Sequence, residues 1–169
     1  PCSITGTRSG GPSGVRRHKA GSLGMRSPVE KASSGKPGEA FVLLGGKTAI
    51  AVSLTEETTD AVVSRMAALA PVADLFEVRA DFVRDLDLAA LLKARTKPIL
   101  LTCRPESEGG RFPDRDHLAR RRLLSEAVGR GFDLVDVEMR AGFADVVAAK
   151  AGRGLVLSSH DFEGTPEDL

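Results

Sequence analysis

The chain has 169 residues, of which 41% are hydrophobic and 28% charged, a composition typical of globular proteins and not of chains disordered throughout. Its net charge of +1 hides an asymmetry, because residues 1–46 carry seven Lys and Arg against two acids, whereas residues 47–169 carry seventeen against twenty-one. The two cysteines offer neither a disulfide framework nor metal-ligand spacing, and no apolar run approaches the ~20 residues that cross a bilayer. We therefore expect a reducing, cytoplasmic location and no membrane partner.

Residues 1–46 contain ten of the eighteen glycines and show neither a strand nor a helix period of apolar residues. We predict that they form a disordered head or linker. Met25 is an alternative start, and the acid-free stretch 1–29 is rich in Arg and Ser like a transit peptide, but its glycines argue against an amphipathic helix. The basic residues around Arg16 and Arg17 lack interleaved aromatic residues, so no nucleic-acid partner is expected.

From position 47 onward, strand-sized apolar runs alternate with helical stretches. The predicted strands are 48–54, 75–80, 98–104, 134–139 and 154–160. The predicted helices are 58–69, 87–94, 117–128 and 143–151. Apolar stripes on the first and third helices comprise Val62, Val63, Met66 and Leu69, and Leu118, Leu124 and Val128, respectively. The nearly continuous apolar character of the strands indicates a parallel α/β sheet covered on both faces.

Polar residues cluster where these strands end, and their position helps to choose between two parallel architectures. They are Glu77, Arg79 and Asp81, then Arg104, then Asp136 and Glu138, then His160 and Asp161. Both a doubly wound open sheet and a (βα)8 barrel build sites at this edge. Because residues 53–57 read SLTEE and not a glycine-rich dinucleotide turn, the sequence favours the barrel.

The segment SSHDFEGTP, residues 158–166, places His160 at the end of an apolar strand. Thr165 and Pro166 then offer a helix N-cap and a proline at the first helical position. A histidine, whose unperturbed pKa is about 6.5, is suited to general acid–base work at such an edge. The alternative is a structural histidine hydrogen-bonded to Asp161 or to a loop carbonyl.

Two further segments bring charged side chains to the same edge. TCRPESEGG, residues 102–110, delivers Arg104 and then Glu108, and an arginine fork suits a carboxylate or phosphate; an exposed loop charge is the alternative. In FEVRAD, residues 76–81, strand alternation puts Glu77, Arg79 and Asp81 on one side, although a structural ion-pair ladder would give the same pattern.

Together, AIAVSL, FEVRAD, CRPESEGG, DLVDVE and SSHDFEGTP, in this order and at βα-unit spacing, resemble the type I 3-dehydroquinate dehydratases over residues 47–169. That family removes water from 3-dehydroquinate to give 3-dehydroshikimate in the shikimate pathway. The resemblance implies that His160 is the general acid–base and that Glu108 orients it. It assigns the substrate pocket to Ser53, Glu77, Arg79 and Arg104, and a supporting role to Asp81 and Asp136. It implies no metal and no cofactor, and a homodimer is an assembly open to the complete enzyme.

The same resemblance implies a Schiff-base lysine on a sixth strand, one βα unit beyond His160. The lysines at 47, 93, 97 and 150 do not match that position. We therefore expect the chain to be a fragment holding about the first five strands and four helices of the barrel. Alone, it is expected to be inactive and marginally stable, because an incomplete barrel leaves strand edges unpaired.

Three other interpretations remain open from the sequence. Another Schiff-base barrel, such as an aldolase, would share the strand order and the polar edge. The chain could also be a remnant that serves only in interaction. Finally, it could be one part of a bifunctional dehydratase–shikimate dehydrogenase.

Overall fold

A computed structural model describes residues 48–151 and 153–165, and all of the secondary structure below lies within them. The strands are β1 Ala51–Leu54, β2 Leu75–Arg79, β3 Ile99–Thr102, β4 Leu134–Glu138 and β5 Leu155–Ser158. The helices are α1 Thr59–Leu69, α2 Leu88–Lys93, α3 His117–Arg130 and α4 Ala144–Ala149. The predictions for the head and for a helix starting at Pro166 lie outside the described residues. In the described part of the chain, no helix is both long enough and apolar enough to cross a membrane.

The five strands form one parallel sheet in which every strand pairs with the next strand in the chain. In a doubly wound sheet the strand order reverses at a switch point, whereas a barrel keeps sequential order. The order β1-β2-β3-β4-β5 is therefore that of consecutive βα units of a barrel. The predicted parallel α/β architecture is confirmed, and the predicted strands differ from the observed ones only at their ends.

The two faces of the sheet carry different residues because side chains alternate along each strand. The outer face packs against the helices in the main core, where Phe76, Leu101 and Val135 are fully buried. The inner face begins with a smaller apolar layer made by Leu75, Leu100, Leu134 and Val156. Every second residue beyond this layer consequently points to the same inner face.

The helices bury one stripe each, as predicted for α1 but not for α3. In α1, Val62 and Met66 are buried, and Thr58 caps the helix by accepting a hydrogen bond from the Ala61 amide at 3.3 Å. In α3 the prediction that Leu118 lies on the buried face is wrong, because 52% of this residue is exposed. The buried stripe is Arg120, Leu124 and Ala127. The helix turns a charged residue inward, which its apolar periodicity could not indicate.

Candidate active site

The polar residues of the inner face lie above its apolar layer, at the carboxyl end of the sheet. Strand alternation from the inner leucines brings the following side chains to this face: Glu77 and Arg79 of β2, Thr102 and Arg104 at the end of β3, Asp136 and Glu138 of β4, and Ser158 of β5. Ser53 joins them, since it pairs in register with Glu77. The edge that the sequence analysis singled out is thus one continuous surface, here called the mouth.

His160 follows β5 and is held by Glu108, which lies in the loop after β3. The Glu108 Oε2 atom is 3.0 Å from the imidazole Nδ1 and also accepts the His160 backbone amide at 3.2 Å. The Glu108 side chain is 10% exposed and the His160 side chain 38%. Because a carboxylate accepts, the contact assigns the hydrogen to Nδ1 whenever the ring is neutral, and Nε2 then holds the lone pair.

Asp161 does not serve as the partner of His160. Its Oδ1 atom accepts the backbone amides of Glu163 at 2.8 Å and Gly164 at 3.3 Å, and so shapes the turn that follows. The sequence left a choice between a neighbouring residue and Glu108 as the group that orients the imidazole. In the structure that group is Glu108, fifty-two positions away along the chain.

The loop after β3 reaches His160 because two glycines let it turn back on itself. Gly109 has a left-handed backbone with φ +78°, a conformation that residues with a Cβ rarely adopt. At Gly110 an added Cβ would lie 2.1 Å from the Arg104 carbonyl oxygen, so no side chain fits without moving the backbone. The Gly110 amide donates to the Pro105 carbonyl at 2.8 Å and closes the turn. The turn fixes Glu108 at the mouth.

Arg104 crosses the mouth and joins three strands. Its guanidinium donates to both Asp136 oxygens at 3.3 and 3.1 Å, to Glu138 at 3.0 Å and to the Ser158 hydroxyl at 2.6 Å. Arg104 is only 6% exposed. The alternative that it is an exposed loop charge is therefore wrong, and Asp136 lies beside it as its principal counter-ion.

Glu138 and Arg120 complete this network. Glu138 was predicted to lie at the polar strand ends but without a role, and Arg120 was not predicted at all. Glu138, which is 2% exposed, accepts from Arg104 and forms a second, very close ion pair with Arg120 of α3. Arg120 also donates to the Cys103 carbonyl at 3.3 Å and stacks over the Phe143 ring at 4.8 Å. Glu138 lies two positions after Asp136 on the same strand, so strand alternation puts both side chains on the inner face, as the sequence predicted. Arg120 gave no sequence indication, since helix arginines are usually at the surface.

Asp81 organises the neighbouring side of the mouth. Its carboxylate receives a bidentate pair of bonds from Arg79, at 2.9 and 2.8 Å, and also accepts the backbone amides of Arg104 at 3.3 Å and Arg111 at 3.0 Å. The hydrogen bond from Arg79 to Asp81 raises the pKa of the Arg79 guanidinium above its ordinary value. Arg79 and Asp81 thus form an ion pair, as expected if FEVRAD were a structural ion-pair ladder. The Arg79 side chain nevertheless remains partly exposed.

Ser53 and Glu77 form the remaining contact of the mouth. The Ser53 hydroxyl donates to Glu77 Oε2 at 2.6 Å, from the paired position on β1. Glu77 makes no ion pair with any cation in the described part of the chain, unlike the carboxylates at 81, 136 and 138. Arg79, Arg104 and Arg120 each have a carboxylate partner, whereas Glu77 and Glu108 are paired with a hydroxyl and with His160, respectively.

The lysines that the structure describes lie away from the mouth. Lys150 donates to the carbonyls of Phe132 and Asp133, at 2.9 and 3.0 Å, beside the opposite end of β4, and burial lowers its pKa. Lys93 lies in α2, and Lys97 precedes β3. Within 48–151 and 153–165, no three His, Cys, Asp or Glu side chains are placed to share a metal ion.

A comparison with protein families matches residues 50–169 to the model described as type I 3-dehydroquinase. The chain is 36% identical over 134 residues to the 3-dehydroquinate dehydratase of Methanosarcina barkeri, covering 71% of this chain and 54% of that protein. It is also 36% identical over 107 residues to a chloroplastic bifunctional 3-dehydroquinate dehydratase/shikimate dehydrogenase of Arabidopsis thaliana, covering 57% of this chain and 18% of that protein.

Among solved structures, the 3-dehydroquinate dehydratase of Geobacillus kaustophilus matches with a TM-score of 0.62 and 32% identity. The match covers 72% of this chain and 53% of that one. The chain thus spans about half the length of the single-function relatives described here.

Proposed function

Since the chain belongs to the type I 3-dehydroquinase family, we propose that it contributes to the dehydration of 3-dehydroquinate to 3-dehydroshikimate. The observation that carries this proposal is the 3.0 Å contact between Glu108 and the Nδ1 atom of His160 at the mouth of the sheet. It gives the imidazole a fixed tautomer and direction, which proton transfer requires. The substrate is a small molecule, as the family implies.

In the proposed reaction a lysine amine and the substrate ketone form an imine, whose protonated form acidifies the neighbouring C–H bond. The Nε2 atom of His160 takes a proton in that step and returns it to the hydroxyl group that leaves as water. The electron pair of the broken C–H bond first forms the C=C bond of an enamine, and it shifts to form the new ring C=C bond as the C–O bond breaks. The water lost when the imine formed is then added back, and this hydrolysis releases 3-dehydroshikimate and the free lysine amine. None of the described lysines is assigned as the residue that forms the imine. We therefore propose only the proton transfer for this chain.

The charge of the mouth supports this chemistry. The Arg79, Arg104 and Arg120 guanidinium groups each have a carboxylate partner. Two carboxylates remain, Glu77 against a hydroxyl and Glu108 against His160. Their negative charge stabilises an imidazolium at His160 and a positive charge on a nearby imine, which are the two cations that form along the reaction.

We propose that substrate oxygens are bound by Ser53, Glu77, Arg79 and Arg104. Of the five donor hydrogens of Arg104, the NH1 pair and one from NH2 are directed at protein oxygens. The Nε–H and the second hydrogen of NH2 remain for a ligand oxygen. Asp81 and Asp136 act by orienting Arg79 and Arg104, respectively, which gives them the supporting role that the sequence analysis expected.

The decisive experiment uses the complete gene product that carries this chain. Incubation with 3-dehydroquinate should produce the conjugated enone of 3-dehydroshikimate, followed by ultraviolet absorbance. Borohydride should trap the protein with a covalent mass increase only when substrate is present. A folded protein that gives neither result would reject the proposal and favour an interaction role, whereas cleavage of a carbon–carbon bond would favour an aldolase.

A second candidate arrangement is one part of a bifunctional dehydratase–shikimate dehydrogenase. It is favoured by the match to the Arabidopsis protein, whose name gives both activities. The same gene product should then also reduce 3-dehydroshikimate to shikimate when supplied with a nicotinamide cofactor. Its failure to do so would leave the dehydratase proposal unaffected.

A further inference from the structure

Thr102, the last residue of β3, holds a hydroxyl group that lacks a partner. The residue is 0% exposed, and its Oγ1 atom makes no hydrogen bond with any residue that the structure describes. Buried hydroxyls in proteins are nearly always hydrogen-bonded, because burial without a partner costs stability. An exception at a functional surface calls for a partner that is not part of the described chain.

The side chain of Thr102 points to the mouth. Two positions earlier, Leu100 belongs to the inner apolar layer, and two positions later, Arg104 reaches across the mouth to Asp136. The intervening Leu101 and Cys103 lie in the outer core against the helices. In the register of the sheet, Thr102 is paired with Arg79. Thr102 therefore lies between the apolar layer and the charged groups, at the floor of the mouth.

Other hydroxyls of the same face are fully engaged, which makes Thr102 distinct. Ser53 donates to Glu77 at 2.6 Å, and Ser158 donates to Asp136 at 2.6 Å while accepting from Arg104. Carboxylates are thus present at the mouth, and yet none of them binds Thr102. Because a β-branched side chain has few χ1 rotamers, its hydroxyl is also held in a fixed direction.

We propose that Thr102 is a further substrate-binding residue, whose hydroxyl forms a hydrogen bond with an oxygen of bound 3-dehydroquinate from the floor of the site. This inference rests on the proposed function, which names the ligand. A threonine hydroxyl both donates and accepts, so it matches a hydroxyl or ketone oxygen of a polyhydroxylated ring. The hydroxyl is buried, and a hydrogen bond made away from water is electrostatically stronger than one exposed to it.

The test compares Thr102→Val with Thr102→Ser in the complete gene product. Valine keeps the shape and removes the hydroxyl, so we expect the KM for 3-dehydroquinate to rise by roughly five- to tenfold, the value of one neutral hydrogen bond. The denaturation midpoint without ligand should stay equal or rise, because an unpartnered polar group has been removed. Serine keeps the hydroxyl and loses a methyl group, so its KM should stay near that of the wild type while its midpoint falls.

A Thr102→Val protein with a lower midpoint and an unchanged KM would overturn the inference, because the hydroxyl would then serve the fold alone. A rise in KM together with a fall in the denaturation midpoint would overturn it as well, because the weaker binding would then result from a destabilised fold. If the wild-type protein does not turn over 3-dehydroquinate, the proposed function fails and the inference with it. If the wild type is active and the valine variant matches it in KM, only the inference fails.

Discussion

The central strands and the outer strands of the sheet hold their site residues in different ways. In β3 and β4 every residue is buried, whereas β1 and β5, the two edges of the described sheet, are mostly half-buried or exposed. Arg104 at the end of β3 and Glu138 of β4 are locked by several buried ion pairs. His160, which follows β5, is held by a single carboxylate. The centre of the described sheet therefore combines residues of the mouth with its most buried packing, while His160 lies at an edge of that sheet.

This difference follows from the chemistry each group has to perform. A buried guanidinium surrounded by carboxylates is costly to move, since breaking one pair leaves an uncompensated charge. An imidazole that exchanges protons needs one firm partner and one free nitrogen. Glu108 connects the two regions, because it belongs to the loop after β3 and yet orients His160. Substitutions should accordingly affect stability in the centre and activity at the edge.

The largest effect is expected for His160→Ala, which should lower turnover of 3-dehydroquinate by about 10²- to 10⁴-fold in the complete gene product. The KM and the denaturation midpoint should change little, because 38% of the side chain is exposed. His117→Ala is the comparison variant, since His117 stacks on Phe143 at the start of α3 and forms no hydrogen bond or ion pair with His160 in the described part of the chain. A rate for His160→Ala equal to that of the wild type would remove His160 from the mechanism, and a comparable loss in His117→Ala would show that the effect is not specific to His160.

Glu138→Ala should have the next largest effect, this time on stability. It leaves Arg104 and Arg120 without their shared carboxylate, and removal of one member of a buried ion pair costs about 3–5 kcal/mol in unfolding free energy. Urea unfolding measures this loss. Glu126→Ala, which removes an exposed i,i+4 pair with Arg130, should change the free energy by less than about 0.5 kcal/mol. Similar losses for both would contradict the central role of the network.

Truncation of an apolar residue tests the two regions directly. Leu101→Ala in β3 removes a fully buried side chain, and such changes destabilise by about 2–5 kcal/mol. Leu157→Ala in β5, measured in this chain alone, should cost less than about 1 kcal/mol, because 56% of that residue is exposed at the edge of the five-stranded sheet. Denaturant midpoints of both variants decide the matter. If Leu157→Ala were as damaging as Leu101→Ala, the outer strand would be as well packed as the centre.

The smallest predicted effect concerns pH. Burial raises the pKa of the Cys103 thiol from 9.0 to about 12, so the folded protein retains a proton that the unfolded chain loses. The stability conferred by the protonated thiol is complete below pH 9 and is lost progressively as the pH rises towards about 12. Between pH 8 and pH 10 the free energy of unfolding should fall by about 1.4 kcal/mol, which is the energy equivalent of one pKa unit.

The measurement is urea unfolding at both pH values in a Cys2→Ser background, which leaves Cys103 as the sole thiol of a chain without tyrosine. Cys103→Ala in the same background should show a flatter pH dependence. Parallel curves for the two proteins would show that the thiol is not shielded by the central sheet.

Strand order and the location of the site followed from the sequence, because parallel strands are recognisable as continuous apolar runs and their carboxyl ends meet at one edge. Arg120 could not be predicted in the same way, because apolar periodicity assigns a helix arginine to the exposed face. The same reasoning put the apolar Leu118 on the buried face, where it does not lie. Glu108 meets His160 because the loop after β3 turns at Gly109 and Gly110. The pattern of apolar residues along the chain does not reveal such a turn. The motif resemblance, and not periodicity, pointed to Glu108.

The Asp81 carboxylate has a consequence for the motions of the site. It holds two backbone amides of the loop that carries Glu108, and with its same two oxygens it fixes the Arg79 guanidinium. A fluctuation that lifts this loop away from His160 must break the amide bonds to Asp81 and so loosen Arg79. If His160 and Arg79 act as proposed, loss of acid–base alignment and loss of substrate binding would then be one correlated event with a single relaxation rate, instead of two independent ones.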